Sequence, residues 1–167
     1  MKIPESVVLS IKKGPMDNQY FYHAYAATER LSKIKNKEIS FYNDDYATLI
    51  NTLERLYKGF LQSKIDSGEL NLPVGFLSSD HDCIKLVNEI EKFTPLFVIN
   101  SKEDLRERDH FLIDLRRAYT SSRYYEDYSY EDFCALYDFV EKQKTVIEMY
   151  LTPQKETTKE DEFSIDL

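Results

Sequence analysis

The sequence predicts an all-α protein, an up-and-down antiparallel bundle of about five helices. Only 4 glycines and 5 prolines occur in 167 residues, too few for the frequent turns of a many-stranded β fold. Apolar residues recur at steps of three and four along five successive segments, the spacing of one helix face. Short connections join these segments, so neighbouring helices are expected to pack antiparallel against each other.

The length of the chain fits one domain of ordinary size. We expect this domain to cover residues 1–153, with a lead-in segment at 1–16. Residues 154–167 are rich in Glu, Lys and Thr and carry an excess of negative charge. Such a composition cannot bury much apolar surface, so this acidic tail is predicted to be disordered.

The net charge and the cysteine content limit which partners and which cellular compartment we expect. A net charge of −8 does not attract phosphate backbones in general, so any contact with nucleic acid would need a local basic cluster. No apolar run is long enough for a transmembrane helix, and the first residues lack the features of a signal peptide. Cys83 and Cys134 lie within helical patterns and are predicted to be free thiols of a cytoplasmic protein.

The first two helices are delimited by polar and glycine residues. We expect the first helix to follow Asp17 as its N-cap and to reach Ile34, before a break at 36–43. The second helix should begin near Asp44 and end at Gly68, which suits a left-handed C-terminal cap. The predicted apolar face of this second helix comprises Leu49, Leu53, Leu56 and Phe60, widened by Ile50, Tyr57 and Leu61.

Three later helices are each predicted to open with a serine that stands three residues before an aspartate. The serine oxygen can accept from an early backbone N–H, and the carboxylate lies where the helix dipole favours it. The pairs are Ser79 and Asp82, Ser101 and Asp104, and Ser129 and Asp132. The predicted helices cover 79–93, 101–124 and 130–151. Their predicted buried residues include Cys83, Leu86, Val87, Ile90, Leu105, Leu112, Leu115, Tyr119, Phe133, Leu136, Tyr137, Val140, Ile147 and Leu151.

The sequence contains no phosphate-binding glycine loop and no metal-ligand spacing, so no cofactor or metal is expected. His110 lies four residues after Arg106 and four before Asp114, on one helix face. This triplet is either a poised acid–base group or a solvated charge ladder, and we favour the ladder. His81 sits at a helix start beside aspartates, and we favour a structural or solvent-facing position over an anion site.

The segment 116–130 is unusual because three arginines and five tyrosines meet at one turn. Arg116, Arg117 and Arg123 could bind phosphate through their guanidinium forks, while Tyr124 or its neighbours could stack on a base. Alternatively, the tyrosines close the bundle end and the arginines pair with nearby acidic residues. Lys58 follows Glu54 by four residues on the second helix, and taken alone this pair indicates an ordinary surface salt bridge.

These segments together resemble the HEPN (higher eukaryotes and prokaryotes nucleotide-binding) superfamily. The stretch 53–61, with Glu54 and Lys58, resembles the Glu…Lys stretch of HEPN helices. His81-Asp82 followed by Leu86 is similar to the family's His-Asp-leading helix. Ser122-Arg123-Tyr124 looks like its Ala/Ser-Arg-Tyr-Pro segment, with Tyr125 where proline is usual.

The resemblance implies a helical bundle that often forms a homodimer and is often encoded beside a nucleotidyltransferase partner. Some members are RNA-cleaving toxins that use an arginine and a histidine with four to six residues between them, the arginine first. Here Arg106 and Arg108 precede His110 too closely, and Arg116 follows it in reversed order. The ribonuclease motif is therefore absent.

Three functions remain open. The first is a non-catalytic HEPN-like module that binds a nucleotide, a polyanion or a nucleotidyltransferase-type partner, with contacts from Arg123, Tyr124, Arg117 and Lys58. The second is a ribonuclease with an atypical pair, in which His110 acts as the acid–base group and Arg106 or Arg116 stabilises the phosphate. The third is a structural or regulatory interaction protein that works through its acidic tail.

Overall fold

The computed structural model describes residues 18–79 and 81–151. These residues form six helices and no strand, which confirms the all-α prediction. The helices are α1 (Gln19–Lys35), α2 (Asn43–Asp66), α3 (Phe76–Ser79), α4 (Cys83–Ile90), α5 (Lys102–Tyr124) and α6 (Tyr130–Leu151). The lead-in segment with Asp17, and the acidic tail, lie outside the described residues.

Contacts between helix ends establish the up-and-down arrangement of the long helices. Asn18, at the start of α1, donates from Nδ2 to the carbonyl of Gly59 near the end of α2, at 2.9 Å. Asn43, the first residue of α2, donates to the carbonyl of Ser122 near the end of α5. A short turn then joins α5 to α6. Each long helix is thus antiparallel to the next one along the chain.

The central element is α2, which contacts α1, α4, α5 and α6. Its predicted apolar face is confirmed, because Leu49, Leu53, Leu56 and Phe60 are all buried. Gly59 is needed at the contact with α1, since a Cβ there would lie 2.7 Å from Cε1 of the buried Phe21 ring. Because α2 is in contact with four other helices, few of its charged side chains are exposed to water.

The interior also contains a polar connection. The hydroxyl of the fully buried Tyr57 donates to Oε1 of Gln143 at 2.7 Å. Gln143 in turn donates from Nε2 to the carbonyl of Leu96 at 2.9 Å. Because the Tyr57 hydroxyl and the Gln143 amide are both paired, the connection fixes the loop between α4 and α5 against α6 at little cost.

Two of the three predicted serine caps are confirmed. Oγ of Ser101 accepts from the N–H of Asp104, and Oγ of Ser129 accepts from the N–H of Asp132, both at 3.1 Å. The prediction for Ser79 is wrong. Ser79 ends the one-turn helix α3, where its hydroxyl donates to the carbonyl of Gly75.

The short helix α4 begins later and ends earlier than the predicted range 79–93. Its N-cap is Asp82, whose carboxylate accepts from the N–H of Ile84 at 2.9 Å. After Ile90 the chain turns, with the N–H groups of Phe93 and Thr94 both donating to the Ile90 carbonyl. The predicted buried face of this helix is nevertheless correct.

Of the other predictions of helix ends and of burial, some are correct and some are wrong. The N-cap of α1 is Asn18 and not the predicted Asp17. Gly68 has the predicted left-handed backbone, with φ of 80°, after α2. The prediction that Leu105 is buried is wrong, because its side chain is 41% exposed. Arg108 occupies the buried position instead, since it pairs at 3.1 Å with Glu91, the C-cap residue of α4.

Two further findings concern the cysteines and membranes. Cys83 is buried and Cys134 is half-buried, and both are free thiols, as predicted. No helix in the described part of the chain combines the length and the apolar character that crossing a membrane requires.

Candidate functional site

An open groove of about 520 Å³ lies between the start of α4 and the middle of α5. Its volume falls in the range of small-molecule sites. We call it the histidine–arginine groove and define it by His81, Asp82, Cys83, Leu112, Arg116 and Arg117. The antiparallel packing of α4 on α5 brings these residues together from positions about thirty apart in the chain.

A buried carboxylate of α2 holds the histidine of this groove. Oε2 of Glu54 lies 3.2 Å from Nδ1 of His81 and 3.3 Å from Nζ of Lys58. Glu54 and Lys58 are 7% and 4% exposed, whereas half of the His81 side chain is exposed. The interpretation of Glu54 and Lys58 as a surface salt bridge is therefore wrong. The pair lies inside the bundle because the neighbouring helices enclose α2.

This arrangement determines what the imidazole can do. When Nδ1 carries the proton it donates to Glu54, and Nε2 is then left as a hydrogen-bond acceptor or a base. The ammonium of Lys58 compensates the charge of the carboxylate in the interior. Lys58 was a predicted ligand contact, but its burial gives it a supporting position behind His81.

Positive charge outweighs negative charge along the groove. Arg116 and Arg117 are exposed on its α5 side, and Asp82 is the one carboxylate among the described residues that line it. Burial raises the pKa of the Cys83 thiol to about 12. The groove can therefore hold an anion through its guanidinium groups, and Cys83 cannot serve as a thiolate nucleophile near neutral pH.

Tyr119 separates this groove from the end of α5. The guanidinium carbons of Arg116 and Arg123 lie 5.2 and 5.7 Å from the centre of its ring. Arg123 also donates from Nη1 to the Tyr119 hydroxyl at 3.0 Å. These arginines therefore rest on an aromatic ring. Among the residues that the structure describes, neither forms the ion pair with an acidic neighbour that one interpretation of the sequence expected.

Arg123 and Tyr124 line a different concavity, of about 360 Å³, where α5 turns into α6. We call this region the tyrosine corner and define it by Tyr42, Asp44, Arg123 and residues 124–127. Tyr124 and Tyr125 are exposed, so they do not close the bundle end as the alternative interpretation held. Tyr128 does pack, in a stacked pair with Tyr46 at 4.1 Å between ring centres.

The predicted contact residues are therefore distributed over three places. Arg117 lies in the groove, Arg123 and Tyr124 lie in the tyrosine corner, and Lys58 is inside the bundle. Of the alternative catalytic set, Arg116 lines the groove, whereas Arg106 and His110 are exposed elsewhere on α5. In residues 18–79 and 81–151, no three His, Cys, Asp or Glu side chains form a group that could hold a metal ion.

The Glu54–His81 contact was missed from the sequence, although one signal was present. Glu54 and Lys58 stand in a run that carries apolar residues on more than one helix face, among them Leu53, Leu56 and Tyr57. A helix that is apolar nearly all round is buried. Its charged residues then need partners from other elements, which no local pattern identifies.

Comparison with protein-family models, with curated proteins and with solved structures finds no match to this chain. Inference of function therefore rests on the side chains of the site and their geometry.

Proposed function

We propose that this protein is a HEPN-like helical module that binds a phosphate-bearing ligand, a nucleotide or another small polyanion, in the histidine–arginine groove. The observation that carries the proposal is the convergence of His81, held by Glu54, with Arg116 and Arg117 around an open groove. Guanidinium groups bind phosphate through paired hydrogen bonds, and a protonated imidazole adds a further donor.

The state of the two arginines supports this proposal. Arg116 rests on the Tyr119 ring, and neither it nor Arg117 forms an ion pair with a carboxylate in the described ranges. An anionic ligand would therefore not have to displace an internal partner. The groove is a small positively charged surface on a chain of net charge −8. This charge distribution favours a small anion over extended nucleic acid as the ligand.

The HEPN-like part of the proposal is supported by the order of the quoted segments along an all-helical chain. Glu54 and Lys58 lie on α2, His81-Asp82 precedes α4, and Arg123 lies in the last turn of α5. With this assignment we propose a homodimer and a nucleotidyltransferase-type partner. Light scattering of the purified chain measures its mass in solution. A homodimer predicts the mass of two chains, and the mass of a single chain would contradict it.

The binding proposal is tested by titrating the protein with adenosine diphosphate in a calorimeter. A hydrogen bond to a charged group contributes about 1.5–3 kcal/mol, so Arg116→Ala and Arg117→Ala should each weaken binding about tenfold or more. Arg106→Ala, which removes an exposed arginine of the same helix outside the groove, is the matched control. Equal affinity in all three variants would remove the groove as the binding site.

The same geometry favours a second candidate, metal-independent cleavage of a phosphodiester. With Nδ1 bound to Glu54, Nε2 of His81 can accept a proton from a ribose 2′-hydroxyl that attacks the phosphorus, while Arg116 and Arg117 stabilise the charged phosphate. The bond from phosphorus to the 5′-oxygen breaks, and this leaving oxygen takes up a proton from water. The ribonuclease alternative from the sequence used His110 for this step. His110 does not line the groove, so His81 is the better placed imidazole.

An RNA cleavage assay separates this candidate from simple binding. If the candidate is correct, His81→Ala abolishes cleavage while His110→Ala retains it. Cleavage no greater than that of a mock preparation would remove the enzymatic candidate and leave the binding proposal intact.

A further inference from the structure

The tyrosine corner presents aromatic surface that the histidine–arginine groove does not use. Tyr42, Tyr124 and Tyr125 are 66%, 69% and 82% exposed. Tyrosine is enriched at protein interfaces because it offers a large apolar ring, a hydrogen-bonding hydroxyl and few rotatable bonds. Three such rings around one concavity form a surface suited to a partner.

The charge of the corner is opposite to that of the groove. The carboxylates of Asp44, Glu126 and Asp127 face one guanidinium, that of Arg123, which leaves two negative charges in excess. Arg123 is also engaged with the hydroxyl and ring of Tyr119. An anionic ligand would therefore be repelled here, and a cationic group would be attracted.

The side-chain amide of Asn43 ties the corner to the start of α2. Nδ2 of Asn43 donates to the carbonyls of Ser122 and Glu126, and its Oδ1 accepts from the N–H of Tyr128 at 2.7 Å. The Tyr128 hydroxyl donates to the Glu126 carboxylate at 3.2 Å. The α5–α6 turn is thus ordered before any partner arrives, which lowers the entropic cost of association.

We propose that the tyrosine corner is a docking surface for a lysine- or arginine-bearing segment of a partner protein. Cationic side chains lie favourably over tyrosine rings and pair with carboxylates, and both groups border this concavity. The concavity of about 360 Å³ holds one long side chain, and the exposed rings around it contact the flanking backbone. Charge complementarity selects a basic segment over an acidic one.

The test uses a fluorescein-labelled tetra-arginine peptide and measures fluorescence anisotropy with the full chain. The corner variant carries Glu126→Gln and Asp127→Asn, and a second variant carries Tyr124→Ala and Tyr125→Ala. The matched control carries Glu107→Gln and Asp114→Asn, the same loss of charge at exposed positions of α5. We expect affinity to fall about tenfold in both corner variants and to stay unchanged in the control.

Two results overturn the proposal. Equal weakening in the corner and control charge variants would mean general attraction to an acidic protein. In the second result, free arginine displaces the labelled peptide at the same concentration as the unlabelled peptide does. That result would mean that the corner binds a small cation and has no role for a protein segment. Arg117→Ala should leave peptide binding intact, so the result is independent of the phosphate groove.

Discussion

Asn43 joins three parts of the chain through one side chain, and we expect its loss to be costly. Asn43→Ala removes donors to the Ser122 and Glu126 carbonyls and the acceptor for the Tyr128 N–H. Because each net hydrogen bond contributes about 1 kcal/mol, the free energy of unfolding should fall by about 2–3 kcal/mol. Urea denaturation measures this change. Asn71→Ala, at an exposed loop position, should change stability little.

Burial lowers the reactivity of the Cys83 thiol. Its thiol pKa is raised from 9.0 to about 12, chiefly by burial. The raised pKa favours the neutral thiol, so at pH 8 the thiolate that reacts with iodoacetamide is scarce. In a Cys134→Ser background we expect no labelling of the folded protein at pH 8 and complete labelling in denaturant. Rapid labelling of the folded protein would contradict the burial of this residue.

At the scale of single helices, two serines of similar sequence context should respond differently to the same change. Ser101 caps α5 through the Asp104 N–H, whereas Ser79 donates to the Gly75 carbonyl and caps no long helix. Ser101→Ala should lower stability by about 1 kcal/mol, and Ser79→Ala should lower it much less. Thermal or urea unfolding of both variants provides the comparison. Equal losses would mean that the cap position assigned to α4 is incorrect.

Helix boundaries were largely predictable because caps act over a few residues. The Ser129–Asp132 pair forms its hydrogen bonds in both directions, since Asp132 also accepts from the Ser129 N–H. The pattern failed at Ser79 because two acceptors compete near the start of α4. Asp82 stands closer to the apolar run and caps it directly. Spacing alone did not distinguish the two starts.

At the scale of the whole molecule, Gly59 tests whether packing or helix propensity dominates in α2. Gly59→Ala gains about 1 kcal/mol of helix propensity. The new Cβ would lie 2.7 and 2.8 Å from Cε1 and Cγ of Phe21, a ring with no exposed surface. Overpacking of this kind costs about 1–3 kcal/mol or more, so we expect net destabilisation in urea. Adding Phe21→Leu should recover part of the loss, and a more stable Gly59→Ala would contradict this packing.

Packing of the whole bundle also decided which charges face water. Glu54 and Lys58 have the spacing of a solvent-exposed pair, yet both are buried because α2 is enclosed by four other helices. Arg108 likewise takes a buried position that the apolar pattern assigned to Leu105. Desolvated charges of this kind are tolerated only with partners, and those partners come from distant parts of the sequence.

The sequence by itself determined the all-α class, the positions of the long helices and the apolar face of α2. It could do so because helix spacing and caps are local, encoded within a few residues of each other. Only the tertiary structure placed His81 against Glu54, opposite Arg116, and separated the Arg123 corner from that groove. Such meetings depend on how each helix is rotated against its neighbours. That rotation is an outcome of packing over the whole core, which the pattern of a single segment does not contain.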